Sequence, residues 1–166
     1  MRILGIDPGY GRMGYGVIEK TNTSQWKVLV YGCLNTDAKK SFVQRLVEIK
    51  EKVDALSKKY KPEAMSVEKL YFVKNAKTAM DVGQARGAIL LSGIEHKMEI
   101  YEFTPLQVKQ AITGYGKAEK SQMQKMVAMI LGLKQKIKSD DAADALAVAL
   151  CASQSMWMEK MKKRVS

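Results

Sequence analysis

Arg2-Ile3-Leu4-Gly5-Ile6-Asp7-Pro8-Gly9 decides how this chain folds. An apolar run of strand length ends on a carboxylate, and Pro8-Gly9 then turns the chain. Side chains alternate along a strand, so Ile3, Gly5 and Asp7 share one face. A second run, Ala64-Met65-Ser66-Val67-Glu68, has the same design: Ala64, Ser66 and Glu68 share a face, and an acid closes it. If the two strands are parallel neighbours, Asp7 and Glu68 emerge together at the carboxyl edge of a sheet, where open α/β sheets bind their ligands.

Working outward, the pattern predicts strands at 2–7, 14–20 and 26–35 joined as a meander, with a glycine-rich turn over 8–14. A helix follows over 41–60, with Ser41 as N-cap and Val43, Leu46, Val47, Ile49 and Val53 at helical spacing; Pro62 ends it. Strand 64–68 leads through Tyr71-Phe72 to a helix over about 75–96, then to a strand at 99–103. Helices at about 105–113, 119–131 and 140–154 complete the pattern. Three meander strands followed by strand–helix alternation predict an α/β fold with a five-stranded mixed sheet flanked by helices. Residues 1–157 read as one domain and 158–166 as a short basic tail.

Asp141 and Asp144 stand three apart at the head of the apolar helix, so they project from one face; Asp140 is turned away by about 100°. Helix capping by Ser139, with acids in the first turn, accounts for Asp140 and in part for Asp141. It accounts poorly for Asp144, whose helical neighbours Val148 and Cys151 are apolar. A carboxylate taken from water needs a counter-charge or a proton. Asp7, Glu68, Asp141 and Asp144 have no basic partner in their own segments. A shared hard divalent cation held by oxygen ligands answers all four.

The remainder of the chain is basic. Its 166 residues carry 28 Lys and Arg against 17 Asp and Glu, a formal charge of +11. From Thr104 to Lys138 there are seven lysines and a single acid, Glu119. A solvated lysine face explains such a stripe by itself; beside an acidic pocket it also fits a phosphate backbone. Acidic metal pocket and basic surface together point to metal-assisted cutting of nucleic acid. Cys33 and Cys151 lack metal or disulfide spacing, which is expected of a reducing, cytoplasmic setting. No apolar run approaches the roughly 18 residues of a membrane span.

Other motifs are weaker. Gly9-Tyr10-Gly11-Arg12-Met13-Gly14 matches a dinucleotide fingerprint in letters, but Tyr15-Gly16-Val17-Ile18 continues as strand where that fingerprint needs a helix. Gly114-Tyr115-Gly116-Lys117 lacks the Ser or Thr of a phosphate loop. Tyr71 and Phe72 beside Lys69 and Lys74 suit either core packing or base stacking. Lys109, Lys117 and Lys120 suit phosphate contacts near a helix start. His96 is expected on the surface, without a role.

Gly5-Ile6-Asp7-Pro8-Gly9 with Gly14-Tyr15-Gly16-Val17-Ile18-Glu19 resembles the opening of the RuvC Holliday junction resolvases. The resemblance continues through Val67-Glu68, Lys74-Asn75, Gly83-Gln84-Ala85-Arg86-Gly87, Gln107-Val108-Lys109, Ala118-Glu119-Lys120-Ser121-Gln122 and Asp141-Ala142-Ala143-Asp144-Ala145-Leu146-Ala147. It implies an RNase H-like fold, a homodimer, and a Mg2+-dependent endonuclease that nicks two strands of a four-way DNA junction. Asp7, Glu68, Asp141 and Asp144 fall on the family's four catalytic acids, expected to hold two Mg2+ ions, with Mn2+ as a possible substitute. Tyr71 falls on an aromatic that inserts at the junction, and Lys109 and Lys120 on basic positions used for DNA contact. Partnership with the RuvA–RuvB branch-migration machinery is implied as well. Tyr10 and Gly11 depart from the expected first turn, and Asp140 is an extra acid beside the last motif. Rival readings are a lobe of an actin-like ATPase, a non-catalytic DNA-binding module and a nuclease acting on RNA–DNA hybrids.

Overall fold

The computed structural model describes residues 1–23, 25–70 and 76–165. In chain order the elements are β1 (Arg2–Asp7), β2 (Arg12–Lys20), β3 (Trp26–Asn35), α1 (Phe42–Tyr60), β4 (Ala64–Glu68), α2 (Ala76–Glu95), β5 (Glu99–Phe103), α3 (Pro105–Thr113), α4 (Lys120–Ile130) and α5 (Asp140–Val165). They form a five-stranded sheet in the order β3-β2-β1-β4-β5. The β1–β2 and β2–β3 pairs are antiparallel, whereas β1–β4 and β4–β5 are parallel. The parallel register runs from Ile3 opposite Ala64 to Ile6 opposite Val67. Asp7 and Glu68 are the next residues on each strand, at the same edge.

Alternation along the strands sorts the core into two layers. Leu4, Ile6, Met13, Val17, Met65 and Val67 pack with Ile49, Val53 and Leu56 of α1 and with Ala85 and Ile89 of α2. Ile3, Ile18 and Ala64 face the other way, into the layer built on α5 with α3 and α4. Asp7 and Glu68 follow the parity of Ile3 and Ala64, so both carboxylates belong to the α5 side.

The sheet surface under α5 is made of very small residues. A Cβ placed on Gly5 would overlap the carbonyl oxygen of Ala145, and one on Gly14 the carbonyl oxygen of Asp141. Ser66, fully buried on the inner strand β4, donates its hydroxyl to Val148 O at 2.7 Å. Facing them, α5 offers Ala142, Ala145 and Ala149, all fully buried. With no bulk on either side, the helix backbone settles directly on the sheet.

Local signals set the helix ends. Ser41 caps α1 reciprocally: Gln44 N–H donates to Ser41 Oγ at 3.3 Å, and Ser41 N–H donates to Gln44 Oε1 at 2.9 Å. Thr104 and Gln107 repeat the device at α3, with Pro105 in the first turn. At α5, Ser139 Oγ accepts from Ala142 N–H at 3.4 Å. Two expectations change here. Helix α5 runs on to Val165, well past residue 154, because nothing in Ser153–Lys162 breaks a helix. Val43 and Val47 of α1 face solvent at 67% and 49% exposure, leaving Ile49, Val53 and Leu56 to form the buried side. His96, just beyond α2, is half-buried and contacts Asp54 Oδ1 at 3.1 Å, in a polar cluster with Ser92 and Lys50 that ties α1 to α2. Among the described residues no helix is long and apolar enough to cross a membrane.

The α5–sheet contact yields a prediction. Gly14→Ala must push the helix off the strand, at a cost of about 3 kcal/mol for overpacking and a melting-temperature drop of roughly 6–12 °C. A thermal melt within 2 °C or so of wild type would show that α5 does not rest on β2 as described.

Candidate active site

Asp7 and Glu68 leave the sheet at the carboxyl ends of β1 and β4, and α5 brings Asp141 and Asp144 over the same edge in its first turns. The four acids feel one another. Burial, followed by the charges of Glu68, Asp144 and Asp141, pushes the Asp7 carboxyl up to about 8. Burial and then Asp144 push Glu68 up to about 7. Asp144 is also raised, chiefly by burial, although Lys120 opposes the shift. Among the described residues neither the Asp7 nor the Glu68 carboxylate has a hydrogen-bond or ion-pair partner; the only cations felt are more distant, Lys120 by both and Lys109 by Glu68.

The acids on the helix are held differently. Lys120 Nζ lies 3.5 Å from Asp144 Oδ2 and 3.2 Å from Asp140 Oδ2. Gln124 Nε2 also donates to Asp140 Oδ1 at 2.6 Å, so Asp140 faces α4 and is turned from the shared edge. Asp141 forms an ion pair with Arg12, and the Cys33 thiol donates to the same carboxylate at 3.5 Å. Among the described residues none of the four acids has a basic partner in its own segment, as expected, but Asp141 and Asp144 find one elsewhere in the chain. Their partners come from other segments, out of reach of a segment-by-segment reading.

Beside the acids opens a cleft of about 180 Å³ lined by Glu68, Pro105, Val108, Lys109, Lys120, Met123 and Asp144. Lys109 enters it from α3 and Lys120 from the first position of α4. The structure thus brings Asp7, Glu68, Asp141, Asp144, Lys109 and Lys120 to one edge. Tyr71 lies outside the described residues. Arg12 and Cys33 were missed by the sequence reading. Their signal lay in strand register, which sets Gly14 opposite Cys33 and Arg12 opposite Asn35 under the start of α5.

Among the described residues no three His, Cys, Asp or Glu side chains already stand in the arrangement of a metal cage. The donor set nonetheless suits a hard divalent ion. It is all carboxylate oxygen, two of the acids are, among the described residues, without a counter-ion at contact distance, and the raised Asp7 and Glu68 values reflect burial first and neighbouring carboxylates second.

Comparison with known proteins gives the family. Residues 3–152 match the family described as crossover junction endodeoxyribonuclease RuvC. A protein of that name from Caldicellulosiruptor saccharolyticus is 50% identical over 151 residues, covering 91% of each chain. The Thermus thermophilus RuvC structure superposes with a TM-score of 0.87 at 34% identity, covering 96% of this chain and 97% of that one. T. thermophilus RuvC in complex with Holliday junction substrate gives 0.86 at 32% identity, covering 95% and 96%. The five-stranded mixed sheet with its flanking helices is the RNase H-like fold, and this chain belongs to the RuvC family of crossover junction endodeoxyribonucleases.

Proposed function

We propose that this protein resolves four-way DNA junctions by metal-assisted phosphodiester hydrolysis, with Asp7, Glu68, Asp141 and Asp144 as its catalytic, metal-holding acids. The observation that carries the reading is the pair Asp7 and Glu68: adjacent, partly buried, mutually repelling and, among the described residues, without a counter-ion at contact distance. Left alone, such a pair takes up protons near neutral pH; a divalent cation relieves it instead. Two Mg2+ ions, or Mn2+ in their place, would supply an activated water and offset charge on the phosphate.

The side chains divide the remaining work. Lys120 bridges Asp140 and Asp144 at the cleft wall and can shift from carboxylate to phosphate as DNA arrives. Lys109 faces the same cleft and adds a phosphate contact. Tyr71, three residues past Glu68, is assigned to the junction-inserting aromatic on the family resemblance alone. Partnership with RuvA–RuvB rests on the same ground.

A junction has two strands to cut, so the reading includes a homodimer with two such clefts. The exposed face of α2 supports it. Met80, Leu91 and Ile94 are 69%, 56% and 61% exposed and form one stripe, and Gly87 between them faces open space. An apolar stripe broken by a glycine suits close packing against a second copy of the same helix.

Three outcomes are expected. Asp7→Asn keeps junction affinity within about threefold and reduces metal-dependent nicking by at least roughly a thousandfold; gel-shift and cleavage assays on one mobile junction check this, and robust nicking by the pure variant contradicts the assignment. Leu91→Asp shifts the protein to monomer in light scattering and abolishes paired cleavage; an unchanged mass sinks the α2 interface.

The third concerns pH. Asp7 and Glu68 have folded-state values above their ordinary ones, so the folded state binds protons more tightly, and metal-free stability falls as pH rises from about 4 towards 8. Asp7→Asn removes part of this loss. Without metal it should melt several degrees above wild type near pH 9, with the gap closing near pH 4. Added Mg2+ should raise the wild-type melting temperature most at high pH. Equal melting at high pH would show that the Asp7 carboxylate bears no burial cost.

A further inference from the structure

Arg12, next to Tyr10 and Gly11 of the first turn, reaches into the candidate site. Arg12 is the first residue of β2 and 62% exposed along its side chain, yet its guanidinium Nη2 pairs with Asp141 Oδ2. Cys33, near the end of β3, has its thiol 3.5 Å from the same oxygen, nearer than its other acceptors, Leu34 O at 3.7 Å and Asn35 Oδ1 at 4.0 Å. Among the described residues Asp141 Oδ1 has no partner. Both contacts therefore converge on one oxygen and leave the other free. They come from β2 and β3, whereas Asp7 and Glu68 end β1 and β4. The backbone of Asp141 rests on Gly14 directly beneath, which fixes where its side chain starts.

We propose that Arg12, assisted by the Cys33 thiol, is a positioning residue that clamps Oδ2 of Asp141 and so presents Oδ1 to the metal-holding edge. The inference rests on the metal-holding role proposed for these acids. A carboxylate whose outer oxygen is fixed by donors binds a cation with less loss of freedom, which is how outer hydrogen bonds sharpen metal sites. The opposite effect is equally physical: a guanidinium repels a metal ion and can compete with it for the carboxylate. Sharing one oxygen favours the clamp, because a competitor would have to occupy the ligand oxygen itself.

Mn2+ binding to the DNA-free dimer, followed by the electron paramagnetic resonance of free Mn2+, separates the two. Arg12→Gln should weaken Mn2+ binding by roughly three- to tenfold, less than for a buried outer partner because Arg12 is exposed. Arg12→Lys should restore part of the loss, and Cys33→Ala, which probes the clamp from its other side, should give a smaller loss. Unchanged or tighter binding by Arg12→Gln overturns the clamp, tighter binding marking the guanidinium as a competitor. If the wild type itself binds no Mn2+, or binds it as well as Asp7→Asn does, the metal-holding reading fails instead.

Discussion

The near-contact of α5 with the sheet is the constraint on which the rest depends. Gly5 and Gly14 present no side chain, Ser66 presents only a hydroxyl that the helix itself accepts, and α5 answers with alanines. The helix backbone therefore lies as low on β1, β2 and β4 as atoms permit. That height decides whether Asp141 and Asp144 reach the edge where Asp7 and Glu68 end. A single methyl group on the strand would lift the helix and part the two pairs of acids.

Having converged, the acids oppose the fold that gathers them. Burial and mutual repulsion raise Asp7 to about 8 and Glu68 to about 7, so near neutral pH both are drawn toward protonation. Among the described residues only the helix-borne acids are relieved, with Lys120 on Asp144 and Arg12 on Asp141. The strand-borne pair keeps its charge conflict. Carboxylates gathered at a cost to the fold are the usual signature of function placed above stability.

The basic surface complements this pocket. Lysines from Thr104 to Lys138 draw in a polyanion, while the acids by themselves would repel one. Lys109 and Lys120 stand where the two regions meet, on the wall of the cleft. Basic surface and acidic edge thus belong to different residues, joined by α3 and the start of α4.

Much of this was legible in the residues alone. Alternation in Arg2–Asp7 and Ala64–Glu68 identified both strands and the parity of their acids, since a strand's period of two depends on nothing beyond itself. Ser41 as an N-cap marked a helix start for the same reason: a cap and the backbone it meets are three residues apart. The outward turn of Val43 and Val47, the continuation of α5 to Val165, and the pairing of Arg12 and Cys33 with Asp141 were not legible. The sequence by itself determined which carboxylates would end up partly buried and that they needed a counter-charge. Only the tertiary structure decided which of them found a cation within the chain, because residues 129 positions apart meet through strand register and helix height, and neither is written in any one segment.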